Sequence, residues 1–160
     1  MGDVVLRGES DTEHMRHKAV LLAATGAVAY TASKIDLAFR GELGMPGFPA
    51  SAQAYEMYDP VTGQSFNAAA GAVTVILVLS LARLPSTGWF RWLLLAANAV
   101  GAVVVGVAVV SFTARAVGAS VSGYAAWTAL AVGAVWAVSW GVAVVVELKR
   151  SRRRPTTGVL

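Results

Sequence analysis

Four stretches of this 160-residue chain contain no Asp, Glu, Lys or Arg: 19–33, 60–82, 92–114 and 116–146. They run to 15, 23, 23 and 31 residues. A span of ~20 apolar residues crosses the ~30 Å hydrocarbon core of a bilayer. Three of the stretches reach that length, and the first does so once it is extended past Lys34 to Phe39. Composition agrees: 56% of residues are hydrophobic and 14% charged. Soluble domains carry about 25% charge and about 45–50% apolar residues. The pattern excludes a disordered chain, disfavours a soluble domain and predicts an all-α fold, an integral membrane four-helix bundle.

The expected organisation follows from punctuation around these runs. A polar tail, 1–18, mixes both charge signs and shows no hydrophobic period, so it is expected to be disordered or loosely helical. Spans are expected at about 19–39, 62–83, 90–112 and 124–146, with a basic tail at 149–160. Asp59 is a natural N-cap, and Pro60 fits a first helical position, where its missing N–H costs nothing. Pro85 stops the second span, after which Ser86 or Thr87 is placed to cap the third. Tyr124 and Trp127 mark an interfacial belt at one end of the fourth.

Basic residues set the orientation. Three lie in the N-terminal tail, two in the turn between spans two and three (Arg83, Arg91), and five at 149–154. Only Lys34, Arg40 and Arg115 fall on the other side. Ten against three predicts a multi-pass cell-membrane protein, bacterial in character, with both termini cytoplasmic. The loop 40–61 then faces outward. A rival reading takes Ala27-Val28-Ala29 as a signal-peptidase site, leaving three spans.

Absences narrow the chemistry. There is no cysteine, hence no thiol nucleophile, disulfide or thiolate-bound metal. Both histidines, His14 and His17, lie in the tail, so no histidine is available inside a span to hold haem. No cofactor or metal is therefore expected. No ionisable residue lies near a span centre, which disfavours proton-coupled transport. The basic tail lacks aromatic interleaving, so no nucleic-acid partner is expected; the lipid bilayer is.

Five residues at the outer end of span one form a candidate outer-face polar site: Tyr30, Lys34, Asp36, Arg40 and Glu42. Tyr30 and Lys34 share a helix face at i,i+4, and so do Asp36 and Arg40. Their alternative role is to anchor the helix at the interface. The outer segment 40–66 is long for a connection without function or structure of its own. It is either a partner-binding loop or a cover folded over the bundle. A stripe of small residues, Ala129, Gly133, Ala137 and Gly141, runs along span four, and Asn98 and Gly101 lie on span three. Small residues at this spacing allow helix backbones to approach closely. Trp136, Trp140 and Glu147 form a further face. The tryptophans either stack on a ligand or fill space, and Glu147 reads as a local partner of Lys149 and Arg150. Asn98 is positioned to bond Thr74, Ser80 or Ser139.

The segment Ser33-Lys34-Ile35-Asp36-Leu37-Ala38-Phe39-Arg40-Gly41, followed by Leu43-Gly44-Met45-Pro46-Gly47, resembles small four-helix actinobacterial membrane proteins of the DUF3995-like group. Lys34 and Gly41 match that group's helix-end lysine and glycine turn. Asp36, Leu37 and Arg40 depart from it. The likeness covers about 20 residues and implies a four-helix architecture with no activity attached. The leading expectation is a non-enzymatic interaction or accessory subunit, in a homo-oligomer or larger membrane complex. The alternatives are a small transporter or channel component, and a membrane enzyme acting on a lipid or quinone.

Overall fold

In the computed structural model the described residues are 2–85, 87–118 and 123–153, with side chains from Glu13 to Arg152 among them. The order is α1 (Gly2–Arg40), β1 (Gly44–Met45), β2 (Phe48–Pro49), α2 (Ala52–Met57), α3 (Pro60–Ser80), α4 (Trp89–Gly118) and α5 (Tyr124–Arg153). A single 3₁₀ turn, Leu81–Arg83, extends α3. Four helices, α1, α3, α4 and α5, are long and apolar enough to cross a membrane.

Of the two alternatives for the tail, disordered or loosely helical, the structure has the helical one, with α1 running from Gly2 onward. Nucleating a helix costs more than extending one, and no proline interrupts residues 2–40. The apolar part nucleates, and the Glu, Arg, Met and Lys residues before it extend the helix readily. Its other end is defined by Gly41 at φ 65. There the Glu42 N–H donates to the Leu37 carbonyl and the Gly41 N–H to that of Ala38. This is the paired bond set of a glycine-terminated helix. The side chains of Asp3, Arg7, Glu9, Asp11 and Arg153, the Ser86 cap and Arg154 fall outside the described residues.

The segment 40–61 is not an irregular loop. Pro46 and Gly47 turn a two-residue-per-strand antiparallel hairpin, Gly44 opposite Pro49 and Met45 opposite Phe48. Gly47 has φ 78, the value a type II turn requires after proline. A Cβ there would run into the backbone of Ala126, so the tip also needs the missing side chain to sit against α5. α3 then starts on Asp59, whose carboxylate accepts from the Thr62 N–H at 2.7 Å, with Pro60 in the first turn.

α1 packs along both α3 and α5, and α5 packs along α4. The face that α1 gives to the core is mostly small: Ala19, Ala23, Ala24 and Ala27, with Val20 beside them. It faces large residues of its neighbours, including Val78, Leu81, Leu95, Trp136 and Trp140. Away from the bundle, α3 exposes Val73 and Ile76, and α4 exposes Val100, Val103, Val104, Val107 and Val110. A continuous apolar surface of this kind suits hydrocarbon rather than water.

Candidate functional site

The helices close a ring on three sides only. α3 and α4 touch sparingly. Where they do approach, near their shared turn, the Asn98 amide lies 3.4 Å from the Ser80 hydroxyl. Toward the loop end they part, and a cleft of about 670 Å³ remains between them. Ala70, Gly71 and Thr74 of α3 form one wall, and Val104, Val105, Ala108, Val109 and Phe112 of α4 the other. Its back is made by Gly26, Ala29 and Tyr30 of α1 and by Ala129, Gly133 and Trp136 of α5.

The hairpin roofs this cleft. Met45 and Pro46 line it. Phe48 is buried against Ala116, Ala126 and Leu130, with its ring 5.3 Å from that of Phe112 in an edge-on contact. Two side chains hold the roof from below. Lys34, only 4% exposed, donates from Nζ to the Gly44 carbonyl. Gln64 donates from Nε2 to the carbonyls of Glu42 at 3.0 Å and Gly44 at 3.2 Å. The serine and threonine hydroxyls lining the cleft are turned inward on their own helices: Ser33 donates to the Tyr30 carbonyl, Thr74 to that of Ala70 and Thr128 to that of Tyr124. The wall is therefore mostly apolar, with the phenol-bearing Tyr30 and Tyr124 also on it.

The floor is an aromatic stack. Trp136 and Trp140 lie 6.1 Å apart, only 4° from parallel, and Tyr30 meets Trp136 at 5.7 Å. Trp140 Nε1 donates to Asn98 Oδ1 at 2.9 Å. The indoles are seated on glycines: a Cβ at Gly26 would overlap Trp136, and one at Gly101 would overlap Trp140.

Below the stack, at the end carrying the chain termini, sits a charge cluster. Glu147 is 1% exposed. Arg16 of α1 reaches it at 2.7 Å and Arg91 of α4 at 3.1 Å. Arg91 also donates to Ser151 at 2.7 Å and to the Pro85 carbonyl at 2.9 Å. Arg150 joins at the rim, 4.0 Å from Glu147 and 2.8 Å from Glu13. One buried carboxylate thus ties three helices and the α3–α4 turn together.

The expected polar site does not form one constellation. Lys34 and Tyr30 turn inward, with Nζ 5.3 Å from the ring centroid. Asp36 and Arg40 pair with each other on the exposed side at 2.9 Å. Glu42 contributes its backbone carbonyl, not its carboxylate. The spacing explains the split: residues 34 and 36 are about 200° apart around a helix. Along the small-residue stripe, Ala129 and Gly133 border the cleft, and Gly133 meets Val109 rather than a helix backbone. Ala137 is half-buried, and Gly141 has open space where its side chain would be. Gly101 receives an indole. Asn98 bonds Ser80 and Trp140, while Thr74 and Ser139 bond their own backbones. Glu147 is paired chiefly with Arg16 and Arg91, from other helices, rather than with its sequence neighbours.

Gln64, Arg16 and Arg91 carry no distinctive local motif. The signals that point to them are a glutamine in the second turn of an apolar span, and basic residues level with a glutamate at another span's end. No family model, curated protein or solved structure matches this chain.

Proposed function

We propose that this is a four-span integral membrane protein, both termini cytoplasmic, that works without catalysis as an accessory subunit. Its site is the cleft between α3 and α4, which admits a small apolar molecule directly from the bilayer. The observation that carries this reading is the cleft's opening toward the apolar surface of α3 and α4, under a roof fixed by Lys34 and Gln64. A volume of about 670 Å³ falls within the ~300–1,000 Å³ of small-molecule sites. A guest of this size is a chain or a ring system. The basic-residue asymmetry supports the orientation, since the ten-residue side is the end of the Glu147 cluster.

The transporter reading has less support, because Lys34 is separated from the Asp36–Arg40 pair and the three do not line one mouth. The partner-binding role first expected of segment 40–66 narrows to α2 and its flank, where Tyr55, Met57 and Tyr58 are exposed.

The test uses Ala108, an exposed cleft residue. Protein reconstituted in phosphatidylcholine vesicles should motionally restrict a spin-labelled stearyl alcohol in its electron spin resonance spectrum. Ala108→Trp should remove most of that restricted population while leaving the helix content unchanged. Equal restricted fractions in both proteins would defeat the cleft as a guest site. Because the chain has no cysteine, single cysteines placed beside Arg152 and Tyr58 report sidedness without background.

A further inference from the structure

A second hollow lies outside the cleft, where α1 meets α5 at the end carrying the chain termini. It measures about 490 Å³. Lys18 and Leu22 of α1 form one edge, and Val138 and Val142 of α5 the other. Ala19 and Ser139 are buried between these edges, and their small side chains leave the space. Ser139 donates its hydroxyl to the Trp136 carbonyl at 3.0 Å, so it offers no donor to a guest. From Val142 to Ala134 the groove follows α5 for about 12 Å, most of the ~15 Å depth of one leaflet. Leu22, Val138 and Val142 are open to the outside of the bundle, so the groove faces the bilayer.

Lys18 gives this groove its polarity. Among the described residues it is the one charged side chain that lines it, and it directly precedes the charge-free run that starts at Ala19. The two carboxylates described at this end are already engaged: Glu147 with Arg16 and Arg91, and Glu13 with Arg150. Lys18 has no hydrogen-bond or ion-pair partner among the described residues. Lys149 and Arg152 add positive charge at the same end. A head group that carries its own cation therefore gains less there than one with net negative charge.

Resting on the four-span reading above, and not on the cleft, we infer that this groove holds one anionic phospholipid of the cytoplasmic leaflet. An acyl chain lies between α1 and α5, and the phosphate sits at Lys18. A cation at the membrane surface above an apolar trough matches a phospholipid in order, head and then chain. Basic pockets between membrane helices on the cytoplasmic side take anionic head groups in this way. The bond from an ammonium to a phosphate oxygen is charge-assisted, and such bonds are the strong ones.

The experiment reads lipid contact at two positions. Because the chain has no cysteine, a single one can carry a bimane fluorophore. Leu21→Cys reports on the groove, since Leu21 is exposed beside Leu22. Val100→Cys reports on α4, where Val100 is exposed in the same half of the bundle. Each labelled protein is placed in phosphatidylcholine vesicles that contain either phosphatidylglycerol or phosphatidylcholine with brominated chains, which quench on contact. The preference for phosphatidylglycerol at Leu21 should exceed that at Val100 about fivefold, the ratio that ~1 kcal/mol for one lysine gives. Lys18→Met should bring the two positions level, and Lys18→Arg should keep the excess. Ala134→Trp fills the deep end of the groove and should reduce the excess with Lys18 in place. Equal preferences at the two positions before any of these changes overturn the lipid site and leave the four-span reading intact. An excess that survives Ala134→Trp overturns it too, since surface charge alone then accounts for the preference. Weak quenching by both lipids at Leu21, with strong quenching at Val100, means that a second copy covers the groove, and the lipid site falls. If neither lipid quenches at either position, the chain is not in the bilayer and both readings fall.

Discussion

The two ends of the bundle are built by opposite means. At the terminal end, helices are tied by charge and ring contacts that cross between elements: Glu147 to Arg16 and Arg91, Trp140 to Asn98. At the loop end, two of the four helices part, and a hairpin lies across the gap. The tight α3–α4 turn explains the difference. It holds Leu81 and Leu95 together in the core at one end, and nothing comparable joins these helices at the other. In lipid, where apolar side chains gain little by leaving the solvent, packing and polar bonds decide which helices stay together. The end that has both is closed. At the other end no such tie joins α3 to α4 directly, and the cleft lies between them.

The sharpest way to break this contrast is to remove one arm of the buried cluster. Arg91→Met leaves Glu147 half-compensated and deprives the Pro85 carbonyl and Ser151 of their donor. Taking one partner from a buried ion pair costs about 3–5 kcal/mol. Arg40→Met removes an exposed pair with Asp36 at the loop end and should cost at most about 1 kcal/mol. Unfolding by steric trapping in bicelles measures both. Comparable losses would mean that the two ends are held equally, and the contrast would fail.

Next in size is the ring seat. Gly101→Leu drives a side chain into Trp140, in a core whose other partners, Asn98 and Leu95, are almost fully buried. Overpacking of this kind costs about 1–3 kcal/mol. Gly106→Leu, on the same helix with open space at its Cβ, should cost under about 1 kcal/mol by the same measurement. If the two variants unfold alike, the glycine is not there to seat the indole.

Much of the architecture was legible because charge-free length is a property of single segments. The four helices, Asp59 with Pro60, and Gly41 at the end of α1 all have local causes. What escaped depends on pairing between segments. Glu147 next to Lys149 and Arg150 reads as a local pair, yet its main partners are 131 and 56 positions away. Gly101 reads as a helix-contact position, when it makes room for a tryptophan, as Gly26 also does. The cleft has no sequence signature at all. It arises because α4 follows α5 along its length and α3 follows α1, so a gap opens between them. Lys34 was noted for its charge, but its inward turn follows from the hairpin, which offers it a carbonyl.

The smallest effect belongs to the start of α3, where the roof segment hands over to a cleft wall. The Thr62 N–H bonded to Asp59 holds that carboxyl below the ordinary carboxylate value. A lowered folded-state value means that the ionised form favours the helix. The contribution is therefore fully present above the unfolded value, near pH 4, and is lost as pH falls through the lowered folded value. Amide hydrogen exchange at Val61, Thr62 and Gly63 should accelerate below that point, relative to the intrinsic rate, while amides around Asn98 do not respond. Asp59→Asn keeps an acceptor for the Thr62 N–H and removes the titration, so its exchange profile should be flat with pH after the same correction. A wild-type profile as flat as that of the variant would show that the cap does not govern this end of α3. An equal response near Asn98 would show instead that the loop end and the terminal end open as one unit, which the separate construction of the two ends argues against.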